Sequence, residues 1–254
     1  MKSLLFAILI LGTTSLVAQV AVNRVTADTL KWTASRSGET KYLVYLPKDY
    51  DTNHATRWPL MLFLHGAGER GNDVTRVAAH GPLRLAKEGR DFPFIIVAPQ
   101  CAEGQRWEND GLLQLLDHAS RTFRVDQRRV YLCGLSMGGY GTWKLGTSYP
   151  EKFAAIVPIC GGGDLIDILL ADPKKSDALK SLPVWAFHGA KDPIVPVSES
   201  ERAVNLLKRA GGTEVKLTVY PEAMHDAWTE TFNNPELYDW LLRHERTNAV
   251  SGKP

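Results

Sequence analysis

The chain has 254 residues, 44% of them hydrophobic and 23% charged, with a formal net charge of +2 at pH 7. That length suits one large domain or two small ones, and the apolar content is ample for a core. The near-balanced charge, with no basic block, gives no compositional ground for a nucleic-acid partner, and neither repeats nor low-complexity tracts are present.

Lys2 precedes the apolar run Leu4-Leu5-Phe6-Ala7-Ile8-Leu9-Ile10-Leu11, and Leu16-Val17-Ala18-Gln19 follows. A charged start, an apolar stretch too short to span a bilayer and a small residue at a cleavage point predict a signal peptide over residues 1–18. Removal would leave residues 19–254 as one domain, secreted or periplasmic and without a membrane anchor. The alternatives are a retained anchor or a buried strand. Of the three cysteines, Cys101, Cys133 and Cys160, at least one must stay unpaired. Cys133 and Cys160 follow apolar runs and read as small buried hydrophobes. Their spacing offers no metal-ligand pattern, and nothing calls for a metal or an organic cofactor.

Residues 29–33 and 42–46 are rich in strand formers, with Ser37-Gly38-Glu39 between them as a turn. They predict an antiparallel hairpin at a sheet edge. Trp58-Pro59-Leu60-Met61-Leu62-Phe63-Leu64 is short and continuously apolar, as a strand buried on both faces is. It runs into His65-Gly66-Ala67-Gly68-Glu69-Arg70-Gly71, where His65 reads as support for the loop and Glu69 and Arg70 as groups that fix it. Leu83-Arg84-Leu85-Ala86-Lys87 is a helical fragment. Residues 94–99 form another buried strand, followed by Gln100, Cys101 and then Trp107. That position, past the C-terminal end of a central strand, suits pocket-lining residues; plain packing is an equal reading of Trp107. Leu112, Leu113, Leu115, Leu116, Ala119 and Phe123 have amphipathic helical spacing, and residues 126–129 read as a link into the next strand.

That strand, Val130-Tyr131-Leu132-Cys133, enters Gly134-Leu135-Ser136-Met137-Gly138-Gly139, and Tyr140-Gly141-Thr142-Trp143-Lys144-Leu145 reads as a helix. Strand, tight turn and helix present a serine hydroxyl outward from a strained backbone position. Side chains at Gly134 or Gly138 would collide with the adjoining elements. The bland reading is a glycine-rich turn with an incidental serine.

Residues 153–159 are the next buried strand. Gly161-Gly162-Gly163-Asp164 and a mixed segment to Ser181 follow, with room for one or two helices, so the site is expected to be open. Residues 183–189 form a strand, and Asp192 lies in the loop after it. Ser198 and Glu201 are spaced as a capping box on a helix that runs to Arg209 and stops at Gly211-Gly212. Residues 215–220 alternate as the last strand, and His225-Asp226-Ala227-Trp228 comes next. Asn234 caps a closing helix with Pro235 in its first position, and the polar tail from Thr247 is expected to fray. Alternating strands and helices predict an α/β fold: a mostly parallel sheet of about eight strands, with helices on both faces.

Ser136, Asp192 and His225 all stand past predicted strand ends, where ligands collect in open α/β sheets. Serine is a weak nucleophile at its own pKa and needs a base. Imidazole titrates near neutrality, and a carboxylate orients it. Asp164 is an alternative acid. His54, His80, His118, His188 and His244 read as structural or solvated, with His188 the one most suited to burial.

The segments quoted around His65, Ser136 and His225, with His188-Gly189-Ala190-Lys191-Asp192-Pro193-Ile194-Val195-Pro196, resemble the secreted α/β-hydrolases of the feruloyl and acetyl-xylan esterase-like group, with polyhydroxybutyrate-depolymerase-like proteins and predicted peptidases. The resemblance spans residues 42 to 242. It implies an α/β-hydrolase fold with little or no cap domain, and carboxylic-ester hydrolysis through an acyl-enzyme formed on Ser136. Asp192 and His225 would complete the triad, the Ala67 and Met137 N–H groups the oxyanion hole. Gln100, Trp107 and Trp228 would contact a small or polysaccharide-linked ester. The alternatives are an oligopeptidase-like serine peptidase and a non-catalytic binding protein on the same fold. No oligomeric state is implied.

Overall fold

The computed structural model describes residues 25–33, 37–163 and 165–246. The expected signal peptide, Asp164 and the tail from Thr247 lie outside the described residues. The eight strands β1 (Val25–Thr33), β2 (Ser37–Tyr45), β3 (Trp58–Leu64), β4 (Ile95–Pro99), β5 (Val125–Leu135), β6 (Ala155–Ile159), β7 (Val184–Gly189) and β8 (Val215–Tyr220) form one sheet in the order β1-β2-β4-β3-β5-β6-β7-β8. β1 and β2 pair antiparallel, as does β2 with β4, and every later pairing is parallel. The hairpin at the edge is where the sequence puts it. Its register differs: Ser37, Gly38 and Glu39 pair with Thr33, Trp32 and Lys31 inside the ladder instead of turning.

The buried strands read as unbroken apolar runs because both faces are covered, and alternate residues serve different cores. Leu60, Leu62 and Leu64 of β3, with Val130 and Leu132 of β5, join one core. It is closed by α2 (Asn109–Thr122), α3 (Met137–Ser148), α5 (Pro173–Ser181) and α6 (Ser198–Arg209) through Leu115, Trp143, Leu179 and Val204. Met61 and Phe63 of β3, with Tyr131 and Cys133 of β5, face the other way. There they meet α1 (Gly81–Lys87), α7 (Trp228–Asn233) and α8 (Pro235–Leu242) through Leu83, Phe232 and Trp240. A one-residue slip in β3 would exchange the two cores wholesale.

Three local readings are corrected or sharpened. Residues 126–129 lie within β5. Ser198 is the first helical residue of α6, with Val197 already helical before it and no side-chain cap. The chain enters the helix through a turn closed by Glu199 N–H to Pro196 O at 3.0 Å, so the capping-box spacing is not used, although Glu199 and Glu201 still sit on the favourable end of the helix dipole. Asn234 does cap α8, accepting from the Glu236 N–H at 2.9 Å.

β3 leads by way of α1 to β4 on one side, and β5 returns to pair with β3 on the other. Such a reversal leaves a crevice at the C-terminal ends of the two central strands. Leu64 pairs with Gly134 there, so the loop after β3 and the turn after β5 start side by side. Among the described residues between β6 and α5 the only helix is the short α4 (Ile166–Leu169), in keeping with the expected minimal cap.

Candidate active site

Ser136 has φ 54° and ψ −117°, in the region where a non-glycine residue is strained by about 1–3 kcal/mol. The surroundings enforce it. The Ser136 N–H continues the ladder to Ile159 O at 2.8 Å, while α3 starts at the next residue. Helix and strand then pack so closely that a Cβ at Gly138 would lie 2.0 Å from Leu64 O, and one at Gly134 2.4 Å from Gly138 O. The turn is therefore closed to side chains on both flanks of the serine.

The loops after β7 and β8 bring the other two groups. Ser136 Oγ is 2.8 Å from His225 Nε2, and His225 Nδ1 is 2.7 Å from Asp192 Oδ2. The carboxylate can only accept, so Nδ1 carries the hydrogen and Nε2 turns its lone pair to the serine hydroxyl. Asp192 Oδ1 accepts the N–H groups of Ile194 and Val195, each at 2.9 Å. Burial alone would raise the Asp192 pKa. The hydrogen bonds from His225, Val195 and Ile194 outweigh it and hold the carboxyl below its ordinary value. Trp228 packs edge-on against the His225 ring, centroids 5.2 Å apart.

Ala67 opens a one-turn 3-10 helix (Ala67–Glu69) directly after Gly66, and a Cβ on Gly66 would stand 3.6 Å from Ser136 Cβ. The loop thus lies against the serine. Its Ala67 N–H, and that of Met137 at the start of α3, belong to first helical turns and have no partner within their own helices. Glu69 Oε2 accepts the Gly66 N–H at 3.0 Å, and Arg70 Nε donates to Ala67 O at 3.0 Å, the fixing role expected of both. His65 underlies the loop. Its Nε2 accepts the Cys101 N–H at 2.9 Å, which puts the hydrogen on Nδ1, 2.6 Å from Gly66 O. Burial pushes the His65 pKa down to about 4, with Arg70 and Arg76 acting in the same direction.

A cavity of about 580 Å³ opens on Ser136, with Trp107, Met137, Tyr140 and Ile166 as apolar lining and Arg70, Arg106 and Lys144 among its charged groups. Trp107 serves both readings made of it. Its Nε1–H donates to His65 O at 3.1 Å, its ring meets His65 edge-on, and it lines the cavity. Gln100 lies elsewhere. It is buried, and its amide donates to Glu69 O and Asp73 O at 2.9 and 2.7 Å, so it braces the loop and is absent from the cavity lining. Trp228 is likewise outside the lining. Tyr140 and Ile166 were not singled out from sequence. Tyr140 was within reach, being four residues past Ser136 on a helix and so on its face. Ile166 belongs to a segment with no periodicity to read.

All three cysteines are buried and unbridged. The donor atoms of Cys160, His188 and Asp192 lie within 4.8 Å of one another. Both His188 nitrogens and both Asp192 oxygens are already engaged with other groups of the protein. Burial also pushes the Cys160 thiol up to about 12, away from the thiolate a metal requires.

This sheet, with its Ser-Asp-His order at the C-terminal strand ends, defines an α/β-hydrolase. The chain belongs to the phospholipase/carboxylesterase family, whose sequence model matches residues 107–237, just over half of its length. It is 28% identical over 165 residues to a bifunctional acetylxylan esterase/xylanase of Neocallimastix patriciarum, covering 62% of this chain and 22% of the relative. It is 22% identical over 180 residues to a probable feruloyl esterase C of Aspergillus terreus, covering 68% and 63%. It thus spans less than two thirds of these relatives. A thermostable esterase superposes with a TM-score of 0.72 at 32% identity, over 89% of this chain and 64% of that one. No helix among the described residues is long and apolar enough to cross a membrane.

Proposed function

We propose that the protein is a serine carboxylesterase acting outside the cytoplasm on acyl or aryl esters, including those carried by polysaccharide. The observation that supports this most is the hydrogen-bonded line from Asp192 through His225 to Ser136, which lines an open cavity. The serine hydroxyl attacks the ester carbonyl as His225 Nε2 takes its proton. Negative charge then develops on the carbonyl oxygen, and the N–H groups of Met137 and Ala67 receive it. Asp192, ionised and hydrogen-bonded to Nδ1, stabilises the imidazolium. That imidazolium returns the proton to the leaving alcohol and leaves an acyl group on Ser136. Water, activated by the same imidazole, releases the acid and restores the serine. Trp107, Tyr140 and Ile166 give an apolar or aromatic acyl group a surface to lie on. Gln100 acts in this reading through the loop it braces rather than by touching substrate, and Trp228 by packing on His225.

Relatives named as acetylxylan and feruloyl esterases support an ester on plant polysaccharide, and the apolar segment of residues 1–18 supports export. The test pairs the mature protein with its Ser136→Ala variant on p-nitrophenyl esters of rising chain length, methyl ferulate, acetylated xylan and a peptide amide. Turnover of ferulate or xylan acetate should fall by about 10⁴-fold or more in the variant. Equal turnover in the two proteins would remove Ser136 as nucleophile. Faster cleavage of the amide than of any ester would turn the reading to a peptidase.

A further inference from the structure

Two imidazoles meet the carboxylate of Asp192, and the mechanism uses one. His225 Nδ1 lies 2.7 Å from Oδ2, and His188 Nε2 lies 3.4 Å from that same oxygen. His188 is wholly buried near the end of β7. Its Nε2 is also 2.9 Å from Val195 O. Both neighbours of Nε2 are pure acceptors, so this nitrogen carries a hydrogen. The other ring nitrogen, Nδ1, is 2.8 Å from the buried Ser200 Oγ. That same Oγ donates to Gly161 O at 3.0 Å. Read in order, Ser136, His225, Asp192, His188 and Ser200 place the same kinds of group on either side of one carboxylate.

We propose that His188 is a positioning residue for the reaction: its Nε2–H, donated to Val195 O with the ring set against Asp192 Oδ2, holds the turn that carries the acid in the orientation that His225 needs. This rests on the reading of Asp192 as the triad acid. Val195 carries the argument. Its N–H donates to Asp192 Oδ1 and its C=O accepts from His188, so the imidazole anchors the residue that in turn fixes the acid. Without it, Val195 O loses its buried donor, and the N–H groups that fix Oδ1 sit on a looser turn. A buried histidine that merely satisfied its own ring would need Val195 O and Ser200 alone; the approach to Oδ2 is the additional feature. Because a displacement of about 1 Å at a reacting centre can cost on the order of 100-fold in rate, an effect on kcat is expected without any contact to substrate.

The experiment measures kcat and KM on p-nitrophenyl acetate for the wild type, His188→Gln, His188→Leu, Ser200→Ala and Val204→Ala. Val204 is a buried residue of α6 and serves as a packing control. In the same proteins, without substrate, proton NMR follows the far-downfield resonance of the His225 Nδ1–H bound to Asp192. His188→Leu should lower kcat by about 10- to 100-fold with KM within about twofold, and shift or broaden that resonance. His188→Gln, whose side-chain N–H falls near the place of Nε2–H, should restore most of the rate. Ser200→Ala should lose less than His188→Leu, and Val204→Ala should lower Tm but not kcat. A folded His188→Leu with wild-type kcat and an unmoved resonance overturns the proposal, as does a kcat loss in Val204→Ala equal to that in His188→Leu. If His188→Leu does not fold, Ser200→Ala decides: an unmoved resonance with an unchanged rate in that variant overturns it. A wild type inert toward every ester, whose resonance still moves in the His188 variants, would sink the esterase reading and leave the positioning role standing.

Discussion

On one side of the cavity the residues around Ser136 are fixed by backbone atoms; on the other, residues 165–181 leave much of their apolar surface in solvent. The Gly138 Cα faces the Leu64 and His65 carbonyls with no room for a methyl group. Across from it, Ile166, Leu169 and Leu170 are 46, 64 and 75% exposed. That wall is tied down by Leu165, Ile168 and Leu179 beneath it, and by Asp167, which takes the Ser148 hydroxyl at 2.6 Å and pairs with Lys175 at 2.9 Å. The side that does chemistry is specified by main-chain sterics, which side chains elsewhere cannot relax. The side that meets substrate is specified by side chains that can change singly. A change of substrate should therefore come from the wall.

Glycine substitutions test that contrast most severely. Gly138→Ala forces a Cβ to 2.0 Å from Leu64 O and 2.8 Å from His65 O, both backbone atoms of β3 and its loop. We expect a loss of more than about 3 kcal/mol in stability and of essentially all activity. The same change at Gly163, beside the cavity, meets only Trp143 Cβ at 3.6 Å, an ordinary contact. It should cost less than about 1 kcal/mol. Urea unfolding and ester turnover of the two variants give the comparison, and two equal losses would break it.

A smaller effect separates the sides through pH. His65 lies under the rigid side, and its pKa is lowered from 6.5 to about 4 by burial. Because its Nε2 already accepts the Cys101 N–H, a second proton would leave that donor buried without a partner. The folded state thus binds fewer protons here than the unfolded state between about pH 4 and 6.5. The stabilisation is complete above the unfolded pKa and is lost as pH falls towards the folded one, by on the order of 3 kcal/mol at most. His65→Gln should be the less stable protein at pH 7, and the gap should narrow as pH falls to about 4.5. Parallel unfolding midpoints at the two pH values would count against the proton accounting.

What could be read in the sequence follows the same division. The strands at Leu60 and Val130 declare themselves as unbroken apolar runs, because two covered faces leave no polar positions. The glycines at 134 and 138 mark a turn whose tightness is a property of the backbone. The order Ser136, Asp192, His225 follows from strand ends, which periodicity locates. The hairpin register did not follow: Ser37-Gly38-Glu39 carries turn-forming residues, yet the Thr33 to Ser37 pairing draws all three into the ladder. The position of Gln100 after β4 predicts a pocket residue. Its amide instead meets two carbonyls of the loop it supports, a choice made by tertiary neighbours that no local pattern records. The wall was legible only as a length of chain, since helices of 4 and 9 residues are too short to show a repeating face.

The last and smallest effect concerns that wall. Ile166 lines the cavity beside Trp107 and Tyr140, whereas Leu169 and Leu170 do not. All three are substantially exposed, so none holds the fold together, and removing any of them should alter stability by no more than about 0.5 kcal/mol. Their effects on catalysis should nonetheless differ. A substrate long enough to lie along Ile166 loses apolar contact when it becomes alanine, at about 25 cal/mol for each Å² uncovered. An acetyl group has the least length with which to reach it. Ile166→Ala should therefore raise KM for p-nitrophenyl octanoate or methyl ferulate by about two- to fivefold while leaving p-nitrophenyl acetate unchanged, and Leu169→Ser should change neither. If Ile166→Ala instead lowered kcat on acetate, the wall would be coupled to Ser136, and the separation between a fixed chemical side and an adjustable binding side would not hold.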